Sequence, residues 1–147
     1  MKILRPLILF LTGFCTYITI EVCFRGYSYP LMGLVAGLVF LFLDCINDTL
    51  LTWDMDILIQ GCFGSIIITF CELIIGTIQH KYGLIPMWDY SNMALNYHGI
   101  ICLPFSLIWM GLSILGIILA DSINYYVFKM KVIMCKIKRF VNSLFRN

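Results

Sequence analysis

ILIQGCFGSIIITFCELIIGTI, residues 57–78, decides the fold. The run meets the roughly 20 residues needed to cross the hydrocarbon of a bilayer. One ionisable residue, Glu72, interrupts it. A soluble domain has no use for so long an apolar run, so lipid is the solvent this segment expects. Three further runs read the same way: Pro6–Phe24, Tyr29–Ile46 and Gly99–Ala120. The second of the four spans, from Tyr29, is the shortest. In hydrocarbon every backbone amide must be satisfied within the segment, which makes all four runs helices rather than open strands.

Composition agrees. Hydrophobic residues make up 61% of the chain and charged residues 12%, against about 45–50% and about 25% in soluble domains. At 147 residues the length suits a single core. The expectation is an all-α, polytopic membrane protein with four transmembrane helices over residues 1–121. A structured outer loop precedes the fourth helix, and a basic amphipathic segment follows over 122–147.

Lys2 and Arg5 ahead of an apolar run mimic a signal peptide. No small-x-small cleavage site follows, and Phe14 before Cys15 spoils a lipoprotein box, so the first helix reads as uncleaved. With four spans, Lys2, Arg5 and the tail residues Lys129, Lys131, Lys136, Lys138, Arg139 and Arg146 share one side. Arg25 and Lys81 lie on the other. That bias puts both termini in the cytoplasm, with the plasma membrane as the expected location. The connection after the second span carries Asp44, Asp48, Asp54 and Asp56, which count for little in this rule.

Beyond Asp121, positions such as Ile123, Tyr126, Met130, Ile133, Ile137, Phe140 and Leu144 share one helical face. The six tail cations flank it. A cationic, strongly amphipathic helix lies in the membrane interface, where anionic lipid attracts each basic residue by about 1 kcal/mol. A plain stop-transfer tail and pairing with the loop aspartates are the competing uses. Within the spans, Gly33 and Gly37 in GLVAG let helix backbones approach closely, either inside one bundle or at a homodimer seam.

The polar residues in lipid carry the functional reading. An acid at membrane depth costs at least ~2.5–3.5 kcal/mol on insertion scales, so Glu72 should face protein or water, either protonated or paired with a donor. Glu21 and Arg25, four apart on one helix face, are in the favourable order for an ion pair. Together with Asp89 they are expected at the outer leaflet. There they would line a polar cavity for a solute, ion or lipid headgroup, or else hold the helices in register.

WDYSNMALNYHGIICLPFSLIW, residues 88–109, would cap that cavity. Trp88 and Tyr90 suit the headgroup level. Asp89, Ser91, Asn92 and Asn96 bond local backbone and favour turns. Pro104 removes an amide donor and would clash with the carbonyl of Ile100 in a helix begun at Gly99.

ELIIG (72–76), WDYSN (88–92) and NYHGIICLPFSLIW (96–109), with Ser106 and Trp109, resemble the family of putative ABC transporter permeases, type IV. The resemblance is specific over about residues 61–115 and weaker around Glu21 and Arg25. Ala94 replaces a proline usual after WDYS-x-x, which bears on the rigidity of the loop. The resemblance implies transport. The residues themselves give the candidate ligand-binding cluster: Glu21, Arg25, Glu72, Trp88, Asp89, Tyr90, Ser91, Asn96 and Ser106. The chain has no GxxxxGK[ST] phosphate loop, so an ATPase would be a separate partner chain.

A non-transporting scaffold or lipid-sensing protein is the alternative. A lipid-modifying enzyme is disfavoured, because no nucleophile–base pair is legible. The seven cysteines form no CxxC pair, and His80 and His98 are far apart. No metal, cofactor or nucleic acid is expected.

Overall fold

Four helices and one small hairpin make up residues 3–45 and 57–129, the part that the computed structural model describes. Helix α1 (Leu4–Arg25) ends where Gly26 turns left-handed (φ +83°) and its N–H bonds Val22 O at 2.8 Å. Glycine adopts that conformation without a Cβ penalty. Helix α2 (Pro30–Cys45) begins on a proline, whose fixed φ suits a first helical position. Helix α3 (Ile57–Tyr82) stops at Gly83, again left-handed, with Leu84 N–H bonding Gln79 O. Strands β1 (Asn96–Tyr97) and β2 (Ile101–Cys102) pair antiparallel, and helix α4 (Leu103–Tyr126) follows at once.

Helices α1, α3 and α4 are long and apolar enough to cross a membrane. The 16 residues of α2 rise about 24 Å, short of the ~30 Å hydrocarbon core. Ile46, the expected end of that span, lies outside the described residues. So do Asp48, Asp54 and Asp56, and all the tail cations except Lys129. Helix α4 takes in Ile123 and Tyr126, the first positions of the expected amphipathic face.

The start of the fourth helix needs correcting. It begins at Leu103 rather than Gly99, because Gly99 is left-handed (φ +68°) and Ile101–Cys102 are extended against Asn96–Tyr97. Pro104 therefore stands in the first turn, where its missing N–H costs nothing. The expected clash with the Ile100 carbonyl does not arise.

Packing forms two helix pairs, α1 with α2 and α3 with α4. Helix α2 bridges them, while α1 and α4 touch little. The GLVAG glycines are spent inside the α1–α2 pair. Gly33 faces Phe14 and Ile18, and Gly37 faces Phe10. That face is covered by the chain's own α1, so it is no homodimer seam. On the other pair, Gly61 receives Ile114, Gly64 receives Ser113, and Gly76 receives Ile100 of the loop. The core is small: Leu9, Phe40 and Ala120 form one cluster, and Val39, Leu43 and Ile117 another. Leu38, Phe70 and Leu107 point outward, each at least 60% exposed, as lipid-facing side chains should.

A Cβ on Gly37 would lie 2.6 Å from the Phe10 ring. Gly37→Leu should therefore separate α1 from α2 and destabilise the fold by about 1–3 kcal/mol, the usual cost of overpacking. A lowered melting temperature in detergent checks this, with Gly111→Leu, which meets nothing within 4 Å, as the neutral control.

Candidate functional site

The loop between α3 and α4 is built from its side chains. Asp89 Oδ1 accepts the Ser91 N–H at 2.8 Å and also the Ser91 hydroxyl. Asn96 Nδ2 donates to the carbonyls of Met93 (2.8 Å) and Ser91 (3.2 Å), while its Oδ1 accepts the Gly99 N–H at 3.1 Å. Tyr90 N–H reaches Gly99 O, and Trp88 Nε1 donates to Ile100 O, both at 2.8 Å. Gly99 is required twice over. Its φ is positive, and a Cβ there would stand 3.0 Å from Asp89 Oδ1.

These bonds drive Tyr90 inward. It is 7% exposed, stacks on Phe105 with centroids 4.5 Å apart, and donates its hydroxyl to Glu72 Oε1 at 2.9 Å. Burial, and then the Glu72 carboxylate, push the Tyr90 hydroxyl well above its ordinary range, so it stays protonated and donating. From α4, Trp109 Nε1 donates to Glu72 Oε2 at 3.0 Å. Glu72 itself is 2% exposed. Each of its oxygens is thus held by a donor from a different element.

A second cluster adjoins the first. Glu21 accepts bonds from Tyr17 (2.8 Å), Arg25 and Ser28. Arg25 also donates to Met87 O at 2.8 Å and lies over the Tyr27 and Tyr29 rings. The Tyr17 ring stacks near Trp109, centroids 6.5 Å apart. A continuous path therefore runs from Glu72 through Trp109 and Tyr17 to Glu21, Arg25 and the loop.

Among the residues expected to act together, Glu21, Arg25, Glu72, Trp88 and Tyr90 meet at this capped pole. Asp89 does not join them. It is exposed and turned onto Ser91, so it serves the turn rather than the acid cluster. Ser91 and Asn96 act with it. Ser106 belongs to the α3–α4 contact: its hydroxyl is 3.1 Å from Thr69 Oγ1, and its carbonyl accepts the Ser65 hydroxyl. Tyr17, Ser28 and Trp109 complete the network and were not among the expected residues. Tyr17 stands four residues before Glu21, a helical spacing that could have found it.

The cavity adjoining this pole is not the expected polar one. It is a groove of about 240 Å³ between α1, α2 and α4, lined almost wholly by apolar side chains, with Tyr17 and Trp109 at one end. Among the described residues no three of His, Cys, Asp and Glu come together as metal ligands would.

A family model described as putative ABC-transporter type IV matches residues 9–145. The chain belongs to this family. No curated protein and no solved structure matches it. The match to the putative ABC-transporter type IV family spans both polar clusters as well as the capping loop, and the three long apolar helices fit a membrane protein of that type.

Asp89 offers a check on the loop. Its bonds from the Ser91 side chain and backbone hold its carboxyl below the ordinary value of 3.8. A group with a depressed folded pKa stabilises above its unfolded value and loses that contribution as pH falls through the folded one. Protection of the Ser91 amide relative to its intrinsic exchange rate should therefore fall only on the acid side of 3.8, and Asp89→Ala should show the lost protection already at neutral pH.

Proposed function

We propose that the chain is the membrane component of an ABC-type transport system, recognising its cargo at the capped pole around Glu72. Four spans with both termini in the cytoplasm would put this pole at the outer leaflet of the plasma membrane. One observation carries the reading: a carboxylate within a membrane-spanning helix, 2% exposed, is held by Tyr90 and Trp109 and faces no Lys or Arg among the described residues. Ionisable groups at such depth mark substrate and ion paths. A carboxylate without a cationic neighbour suits cargo bearing a positive or proton-donating group. Glu21 and Arg25 serve as the adjoining charge pair. ATP hydrolysis belongs to a separate partner chain, and the basic tail, Lys129 onward, meets anionic lipid.

A second reading, a non-transporting scaffold, draws on the same contacts. Each polar group at the pole is bonded to another, so the network also locks helix register. The two separate in nanodiscs holding the full chain, titrated with choline-type quaternary amines, polyamines and amino acids. The transport reading expects one class to raise the melting temperature, since a ligand at a hundred times its Kd adds about 2.7 kcal/mol. It expects Glu72→Gln to abolish that rise. No stabilisation by any class, or an equal one in Glu72→Gln, favours the scaffold.

A further inference from the structure

The apolar groove between α1, α2 and α4 has a length, a lining and a charged mouth that together select an occupant. Along α4 it runs from Trp109 to Leu119, a rise of about 15 Å. That is half of the ~30 Å hydrocarbon core, one leaflet deep. Its room of about 240 Å³ falls below the roughly 300–1,000 Å³ of pockets that take compact drug-sized ligands. A slender apolar chain suits a groove of that length and lining. It faces the membrane where α1 and α4 scarcely touch, so entry is lateral.

At its upper end Tyr17 and Trp109 form both the roof of the groove and the donors to Glu21 and Glu72. Just beyond Tyr17, the Glu21 carboxylate and the Arg25 guanidinium present opposite charges side by side, each partly exposed. Ser113, one helical turn below Trp109, lines the groove, and its hydroxyl, seated against Gly64 of α3, is buried without a hydrogen-bond partner. Such a group is costly to leave unpaired.

We infer that this groove holds one acyl chain of a zwitterionic glycerophospholipid, with the head against Glu21 and Arg25. The head's phosphate and ammonium match the two charges at the mouth. Its ester carbonyl falls below the head, at the level where rotation about χ1 would bring the Ser113 hydroxyl to it. This assignment rests on the preceding reading of the pole as a recognition site, and it sets the lipid head at the Glu21–Arg25 pair beside Glu72.

The test uses the full chain in nanodiscs of mixed phosphatidylcholine and phosphatidylglycerol. The probe is phosphatidylcholine with a diazirine at the end of one acyl chain. After irradiation, labelling at the groove floor (Phe40, Leu43, Gly116) is compared with labelling at outward-facing Leu38, Phe70 and Leu107. A several-fold enrichment at the floor is expected, and the same diazirine on phosphatidylglycerol should give much less. In Gly116→Leu the enrichment should vanish while outward labelling persists. A Cβ at Gly116 meets only ordinary contacts, the nearest 3.7 Å away, so the longer side chain fills the groove without forcing the helices apart.

Equal labelling of floor and outward residues in the unsubstituted chain would mean ordinary surrounding lipid only and would overturn the inference, with no variant needed. Enrichment that survives Gly116→Leu, or that is equal for the anionic probe, would overturn it as well. Stabilisation by a soluble amine that depends on Glu72 could stand while groove labelling fails, so the two readings fail separately.

Discussion

Glu72→Leu should lower the stability of the folded chain by roughly 2–4 kcal/mol, while Glu72→Gln costs under about 1 kcal/mol. The leucine leaves the Tyr90 hydroxyl and the Trp109 N–H, both aimed at the vanished carboxylate, with nothing to accept them. Each buried orphan donor costs about 1–3 kcal/mol, and measured hydrogen bonds between membrane helices fall toward the low end. Gln keeps the shape: its oxygen accepts from Trp109, and its amide donates to the Tyr90 oxygen once that hydroxyl turns. Insertion pulls the other way. A leucine enters lipid more readily than an acid by at least ~2.5–3.5 kcal/mol on insertion scales, so Glu72→Leu should reach the membrane in equal or greater amount. The signature is therefore a split result: undiminished membrane yield with a melting temperature lower by roughly 4–16 °C in detergent. A Leu variant as stable as the parent would mean that Tyr90 and Trp109 do not hold the acid.

Much of this pole is legible in the sequence. The apolar run at 57–78 could only be a helix in lipid, and α3 contains all of it. Asp89, Ser91 and Asn96 announced a turn through their short polar side chains, and each now closes a loop bond. The spacing of Glu21 and Arg25 announced their pair. Other features carried no local signal. Trp109 lies in an oily stretch, where an aromatic that donates a hydrogen bond looks like one that merely packs. The helix start at Leu103 depends on a hairpin of two residues per strand, too short to leave a period in the sequence. Asp89 was grouped with the acids of the spans because they share a depth. Depth does not set direction, and the turn it closes points it away. Asp44 read as one of several loop aspartates. It is instead 6% exposed at the end of α2, because Arg5 and Asn124, distant in sequence, reach it there.

Arg5→Met should cost about 3 kcal/mol, the low end of the 3–5 kcal/mol lost when one partner leaves a buried ion pair. Arg5 is 27% exposed, which is why the low end applies. Its Nη2 bonds both Asp44 oxygens, at 2.8 and 3.0 Å, and its Nε donates to Asn124 Oδ1 at 2.9 Å. Asn124, fully buried, donates back to Asp44 at 2.6 Å. The start of α1, the end of α2 and the end of α4 are thus closed into one ring. Double replacement of Arg5 and Asp44 by Met and Leu should cost less than Arg5→Met alone, since the Asp44 carboxylate is then no longer left in the interior without its arginine. A thermal-melt cycle over the four proteins measures that coupling, and simple additivity would show that the pair does not act as a unit. The ring also bears on the groove. Helices α1 and α4 meet chiefly through Tyr17 and Trp109 at one pole and Arg5 and Asn124 at the other, with the apolar groove between. Arg5→Met frees the lower end, so the groove widens and its selective labelling should weaken, although no residue lining it has changed.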